Sequence, residues 1–387
     1  MYDFTCYTPT ALLFGAGKLN ALAQMELPGK KALIVITAGK SMRANGYLER
    51  VIALLKQNSV ESVVFDKILP NPIKAHVMEG AALAKENGCD FVIGLGGGSS
   101  IDSAKSIAMM ATNPGDYWDY ISGGTGKGQP LAAKPLPVIA ITTTAGTGTE
   151  VDPWTVITHE ERQEKIGFGG SFSFPVTAIV DPELMLTVPP RLTAFQGFDA
   201  FFHSAEGFLA NIASPMSDLY ALRSISLIAK SLPQAVAKGD DIEARSDVAL
   251  ANTLAGLVES TSCCISEHSM AHALSAIFPE LPHGAALIMI SEAYYTFFAD
   301  KAPARFLEML RAMGVNSDDP MDFVAKLVEL QKACNVYGMK MSDYGIKEED
   351  IPVIARNAYD TMGGLFALDP VMLTLEDTIG ILRKSWK

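Results

Sequence analysis

The sequence predicts an α/β domain with a mostly parallel sheet over residues 1–190, followed by an all-α domain over residues 191–387. Three observations carry this. Short β-branched runs alternate with helix-length stretches through the first half, the pattern of strands joined by crossover helices. After Val188-Pro189-Pro190, long helical patterns take over and β-branched runs nearly vanish. The double proline biases the residues before it away from helix, which marks a boundary. Finally, 387 residues exceed one compact core, and a 49% hydrophobic content supplies apolar side chains enough for two.

Lys31-Ala-Leu-Ile-Val-Ile-Thr37 reads as a buried strand. Residues 41–57 read as a helix, with Leu48, Val51, Ile52, Leu54 and Leu55 at helical spacing. Asn58-Ser59 breaks that pattern before a second strand, Glu61-Ser-Val-Val-Phe65. A helix over 74–87 leads to a third strand, Asp90-Phe-Val-Ile-Gly94, and a Gly-Ser turn then opens a helix through Met110. Pro137-Val-Ile-Ala-Ile-Thr142 and Val176-Thr-Ala-Ile-Val180 are further strands. Beyond the double proline, helices are expected over 193–211, 214–236, 241–262, 284–299, 302–313, 320–334 and 349–361.

Charge narrows the function classes. With 31 basic against 43 acidic residues, the formal charge is −12, and such a field repels nucleic acid and anionic membranes. A local anion site built from backbone amides stays open. The five cysteines, Cys6, Cys89, Cys263, Cys264 and Cys334, are odd in number and form no C-x-x-C pair. A disulfide framework is not expected, and a reducing, cytoplasmic setting fits. The first fifteen residues lack the pattern of a signal peptide, and no apolar run reaches the roughly 18 residues of a membrane span.

Two loops and one cluster carry chemistry. Gly94-Leu-Gly-Gly-Gly-Ser-Ser100 ends a strand and opens a helix. Its glycines admit an anion to the helix amides, or simply make a tight turn. It is neither G-x-G-x-x-G, since Ser99 stands at the third glycine, nor a P-loop. Thr142-Thr-Thr-Ala-Gly-Thr-Gly-Thr149 follows another buried strand, where an open α/β sheet forms its ligand crevice; local hydroxyl–backbone bonding is the plainer alternative. Four of the six histidines lie between 203 and 283. Asp199 and His203 share a helix face at i, i+4, His268 and His272 repeat the spacing, and His283 follows Pro282. An exposed pair at this spacing is commonly a local ion pair, but this grouping in a His-poor, apolar half reads as ligands for Fe²⁺ or Zn²⁺.

Taken in order, Tyr7-Thr-Pro-Thr10, Leu13-Phe-Gly-Ala-Gly-Lys18, Pro70-Asn-Pro72, Gly96-Gly-Gly-Ser-Ser-Ile-Asp102, Val180-Asp-Pro-Glu183, Gly197-Phe-Asp199 to His203, and His268-Ser-Met-Ala-His272 with Pro282-His283-Gly284 resemble the iron-dependent (group III) alcohol dehydrogenase family over nearly the whole chain. The resemblance implies a dehydroquinate-synthase-like fold: a dinucleotide-binding α/β domain, an α-helical metal domain, and an active site between them. It implies metal ligands Asp199, His203, His268 and His283, with Fe²⁺ favoured and Zn²⁺ the alternative. It implies that His272 lies near nicotinamide and substrate without ligating. Gly96, Gly97, Gly98 and Ser99 match the pyrophosphate turn, with Asp102 its companion. Thr142, Thr143 and Thr147 match a loop that contacts the cofactor, and Lys165 a position that reaches it. The family often forms dimers, and the strand-like apolar edge within residues 1–20 is a surface that could pair. The sequence departs from the family twice. His268 and His283 are 15 residues apart, one more than usual, which places an extra residue in Phe278-Pro-Glu-Leu-Pro282. Leu368-Asp-Pro-Val371 stands where many members carry Asn-Pro-Arg.

The expected activity is hydride transfer between a nicotinamide cofactor and a small primary alcohol or aldehyde. Thr37-Ala-Gly-Lys-Ser-Met-Arg43 holds no acid to clasp a ribose 2′-hydroxyl, and Lys40, Ser41 or Arg43 could meet a 2′-phosphate, so NADP(H) is favoured over NAD(H). Trp154, the Phe198–Phe202 group, Cys264 and Phe278 are candidate pocket walls, with core packing the plainer role for most. A metal-dependent lyase of the dehydroquinate-synthase type is the alternative enzyme, but Ala200–Glu206 and Ser269–Glu280 hold no Lys or Arg for a phosphorylated substrate. A non-catalytic metal or nucleotide binder is the third reading.

Overall fold

The computed structural model describes residues 3–386. Its N-terminal part alternates β1 (Ala11–Phe14), β2 (Lys31–Thr37), α1 (Ser41–Ala44), α2 (Tyr47–Gln57), β3 (Glu61–Ile68), α3 (Lys74–Asn87), β4 (Phe91–Gly96), α4 (Gly98–Met110), β5 (Val138–Thr142), β6 (Thr155–His159), β7 (Glu164–Phe168) and β8 (Thr177–Val180). Six strands make one parallel sheet in the order β1-β8-β5-β4-β2-β3, and β6 and β7 form a separate antiparallel ribbon. The remainder is helical: α5 (Pro190–Leu209), α6 (Pro215–Ala237), α7 (Ile242–Thr261), α8 (Ser266–Ile277), α9 (His283–Phe298), α10 (Pro303–Ala312), α11 (Met321–Ala333), α12 (Ile351–Met362) and α13 (Leu375–Ser385). No single helix among the described residues is long and apolar enough to cross a membrane.

The apolar strand runs follow from burial on both faces. Along β2, Leu33 and Val35 pack with Phe65, Val92 and Ile107 on one side, while Ile34 and Ile36 pack with Val51, Ile93 and Ile139 on the other. Each such side chain, fully buried, contributes about 1.5–3 kcal/mol. In the helical part, Phe201, Phe202, Tyr295, Phe306 and Phe323 interlock, with Phe202 stacked on Tyr295 at 5.9 Å. The Phe198–Phe202 group is therefore core and not pocket wall.

Two differences from the sequence reading have local causes. The helix expected over 41–57 is split by Gly46, whose φ of 70° breaks the helical run. The ribbon was not anticipated: its turn carries no Asn-Gly or Asp-Gly signal and is closed by Gln163 at φ 52°. At the N-terminus, β1 pairs with β8 from Ala11↔Thr177 to Phe14↔Val180 and, as the outermost strand of the sheet, leaves its other edge open.

Buried polar contacts bind the two parts. Gly148 N–H donates to Asn252 Oδ1 at 2.8 Å, and Glu150 Oε1 accepts from Asn252 Nδ2 at 2.9 Å and Thr253 Oγ1 at 2.8 Å. Beneath this loop lies Lys105, whose side chain is fully buried. Its ammonium donates to Thr149 Oγ1 and Asp152 O, both at 2.7 Å, to Trp154 O at 2.9 Å and to Asp152 Oδ1 at 3.2 Å.

Candidate active site

The glycine turn after β4 opens at the carboxyl end of the sheet. A Cβ on Gly98 would lie 2.5 Å from Thr147 Cγ2, so the turn and the threonine loop close on each other only because Gly98 has no side chain. The first amides of α4 lack helical acceptors and are free for an anion. Gly96, Gly97, Gly98, Ser99, Thr143 and Thr147 line a cleft that runs from Gly39 and Ser41 to Asp199 and His283. Thr142 does not line it: its buried hydroxyl donates to Thr144 O at 2.8 Å and shapes the loop. Asp102 is also turned away, accepting from Thr149 Oγ1 at 2.6 Å and Val156 N–H at 3.0 Å, and burial pushes its carboxyl up to about 6. Lys40 is exposed beside the cleft, and Arg43 is paired with Asp66 at 2.7 Å.

At the far end of the cleft, α5, α8 and α9 bring their ligating groups to one point. Asp199 Oδ1 lies 3.6 Å from His268 Nε2, 3.6 Å from His283 Nε2 and 3.8 Å from His203 Nδ1. These separations are too long for hydrogen bonds. They suit donors arranged around one ion at bonds of about 2.1 Å. The Asp199, His268 and His283 donors all fall within 4.8 Å of one another. Asp199 Oδ1 and His268 Nε2 are buried with no hydrogen-bond partner, a state that a shared cation relieves. The residues therefore fit a divalent ion. His203 flanks the tight group, its ring stacked on His268 at 4.2 Å and its Nδ1 3.3 Å from Gly146 O. The extra residue before Pro282 is taken up in a turn closed by Leu281 N–H to Phe278 O at 3.0 Å, and His283 still reaches the group.

Burial sets His203 and His283 up as neutral ligands. Burial pulls the His203 imidazole down to about 4, and burial with the nearby Lys165 ammonium keeps His272 and His283 well below their ordinary range. Neutral imidazoles are the ligating form. Burial would also lower His268, but the Glu206 and Asp199 carboxylates hold it well above.

Glu206 was missed by the sequence reading. Fully buried, it accepts from His268 Nδ1, and its Oε2 accepts from Ile265 N–H at 2.7 Å and His268 N–H at 3.3 Å. It thus caps the start of α8 and aims His268 Nε2 at Asp199, the outer-carboxylate arrangement that fixes a ligand's tautomer. A signal was present: residues 199, 203 and 206 recur at i, i+4 and i+7 on one helix face. The ribbon delivers Lys165 to the same place. Its ammonium donates to Asn71 Oδ1 at 3.0 Å, and burial lowers it to about 8. A second helix, α9, crosses α5 so closely that a Cβ on Gly284 would lie 2.3 Å from Phe195 O.

Next to the ligand group is a deeper cavity lined by Trp154, Lys165, His272, Glu259, Cys263, Cys264 and Met362. Glu259, Cys263 and Cys264 bring their side-chain donors within 4.8 Å of one another. Trp154 and Cys264 are walls as expected, and Phe278 is not. Asp369, from the segment that departs from the family pattern, is buried under α8 and accepts from Ser266 N–H at 3.1 Å.

Sequence and structure comparisons show which proteins the chain resembles. Residues 9–182 match the family described as iron-containing alcohol dehydrogenase, and residues 193–386 match the C-terminal part of the Fe-containing alcohol dehydrogenase family. The chain is 33% identical over 385 residues to alcohol dehydrogenase 4 of Saccharomyces cerevisiae, covering 98% of each. It is 32% identical over 387 residues to the NAD-dependent methanol dehydrogenase of Bacillus methanolicus, covering 98% of this chain and 99% of that one. An archaeal halo-thermophilic alcohol dehydrogenase from a Red Sea brine pool has the same fold, with a TM-score of 0.95 at 36% identity, covering 100% of this chain and 99% of that one.

Proposed function

This chain belongs to the iron-containing alcohol dehydrogenase family and is a metal-dependent alcohol dehydrogenase, and from that premise we propose the residues that do the work and the cofactor they serve. Asp199, His203, His268 and His283 hold the ion, and Glu206 orients His268. The observation that carries this is the convergence of His268 Nε2 and His283 Nε2 on Asp199 Oδ1, with Asp199 Oδ1 and His268 Nε2 buried and unpartnered, at the far end of the glycine-turn cleft. When bound, the ion supplies Lewis acidity to a substrate oxygen and the nicotinamide takes or returns the hydride. The amides of Gly97, Gly98 and Ser99 hold the dinucleotide's diphosphate. Trp154, Cys264 and Met362 exclude water from the reacting end.

His272 handles the proton. Its Nδ1 sits 2.9 Å from the Met362 thioether, which can only accept, so Nδ1 carries the hydrogen and Nε2 is left as the acceptor. Burial, together with Lys165, keeps the ring neutral, with Nε2 unprotonated and free to accept a hydrogen bond. His272→Ala should keep full ion content and lower kcat by about 10²-fold or more, with the pH profile of kcat changed. Loss of the ion in that variant would make His272 a ligand instead.

NADP(H) is the favoured cofactor. The end of the cleft that follows β2 is lined by Thr37, Ala38, Gly39 and Ser41, with no carboxylate to oppose a 2′-phosphate, and Lys40 stands exposed beside it. kcat/KM for aldehyde reduction should be higher with NADPH than with NADH. A Cβ at Gly39 meets nothing closer than Thr37 Oγ1 at 3.8 Å, so Gly39→Asp is accommodated and should reverse that preference. A wild-type enzyme that prefers NADH would refute the assignment.

A further inference from the structure

The wall of the deeper cavity carries a buried carboxyl group for which the protein supplies no counter-ion. Glu259, on α7, is 5% exposed, its carboxyl lines the cavity, and its Oε1 has no hydrogen-bond partner. The other carboxylates of that lining are engaged. Asp152 is paired with Lys105, Asp102 accepts from Thr149 and Val156, and Asp199 belongs to the histidine group. Among the protein groups acting on Glu259, His268 is the one cation, and it is bonded to Glu206; Asp152 and Glu206 repel, and the Cys264 N–H supplies one hydrogen bond. Burial accordingly pushes the Glu259 carboxyl up to about 8. A buried carboxylate without a counter-ion is costly unless a ligand brings one.

We infer that Glu259 is a specificity-determining residue, selecting a primary alcohol that carries an ammonium group remote from its hydroxyl. The inference rests on the alcohol dehydrogenase reading above, because the same cavity holds His268 and Asp199 at its other end. A distal hydroxyl would satisfy Glu259 in its protonated form and bring no counter-ion, whereas an ammonium favours the ionised carboxylate and pairs with it. A distal carboxylate would be repelled by Asp152 and Glu206. The neighbours suit an alkylated cation. Trp154 is fixed beside Glu259 by its indole N–H, which donates to Glu259 O at 3.1 Å, and an indole is the best aromatic surface for an ammonium. The contact with Cys263, and burial, keep the Cys264 thiol well above its ordinary range, so it is neutral and presents a soft, apolar surface to methyl groups.

The test is a matched pair of alcohols of the same shape: choline, and 3,3-dimethylbutan-1-ol, in which carbon replaces the charged nitrogen. With the metal-loaded enzyme and a nicotinamide cofactor, kcat/KM should favour choline by about tenfold or more, with the difference chiefly in KM. Glu259→Gln, which keeps the shape and removes the charge, should bring the ratio to about one, and Glu259→Asp should restore part of it. A ratio at or below one in the wild type, or one that survives Glu259→Gln, overturns the assignment. In that case, turnover of the neutral alcohol leaves the dehydrogenase reading standing. No turnover of either alcohol overturns both.

Discussion

Asp199→Ala is expected to strip the protein of its divalent ion and to remove alcohol turnover. Asp199 is the one anionic member of the group, and all three histidine contacts are made to its Oδ1. Without it, three imidazoles, two of them held neutral by burial, face each other with no charge to attract a cation. The loss should exceed the roughly 10- to 100-fold typical of removing an outer partner such as Glu206. Elemental analysis after iron or zinc loading, run beside nicotinamide absorbance with an alcohol, reads both effects. An Asp199→Ala protein with one equivalent of ion and wild-type turnover would show the ligand group to be wrong. Glu206→Gln serves as the graded comparison, since it keeps the first set of donors and loosens only the aim of His268.

The second large effect concerns stability. Lys105→Met should destabilise the α/β part by about 3–5 kcal/mol, because it removes the cation paired with the buried Asp152 and leaves that carboxylate without compensation. The sign with pH is defined. Asp102 and Asp152 are already raised by burial, Asp102 to about 6, while Lys105 works to lower both. Groups with raised folded values favour the fold at low pH and lose that advantage as pH climbs through the folded value. Taking Lys105 away raises them further, so the deficit should shrink as pH falls below about 6, where Asp102 takes up its proton, and be largest above about pH 7. Denaturation midpoints across that range test it, and a deficit independent of pH would mean that the ammonium acts through packing alone. Because Lys105 also holds Thr149 and Trp154, the variant should loosen the alcohol pocket as well.

The sequence made legible whatever depends on short-range spacing. Asp199 and His203 are one turn apart, so their shared face could be read directly, and the alternation of β2 through β5 with crossover helices announced the parallel sheet. What it hid depends on tertiary contact. α4 is buried from Ser100 to Met110, so no amphipathic period marks which of its residues matter, and Lys105 passed as one more helical lysine. Lys165 reaches the site on a ribbon whose turn carries no sequence signal, and only the family likeness pointed to it. Glu259 lies in an apolar helical stretch, nine residues before His268, and only the fold turns it toward the same cavity.

The near-contact of Gly284 with Phe195 has a further bearing. It leaves the two ligand-bearing helices no slack to move apart, so the aperture between Asp199 and His283 is fixed by main chain rather than by donor chemistry. Discrimination against ions of greater radius, such as Ca²⁺, would then be written into how tightly two backbones cross, and a larger residue at 284 would retune which metal the site accepts.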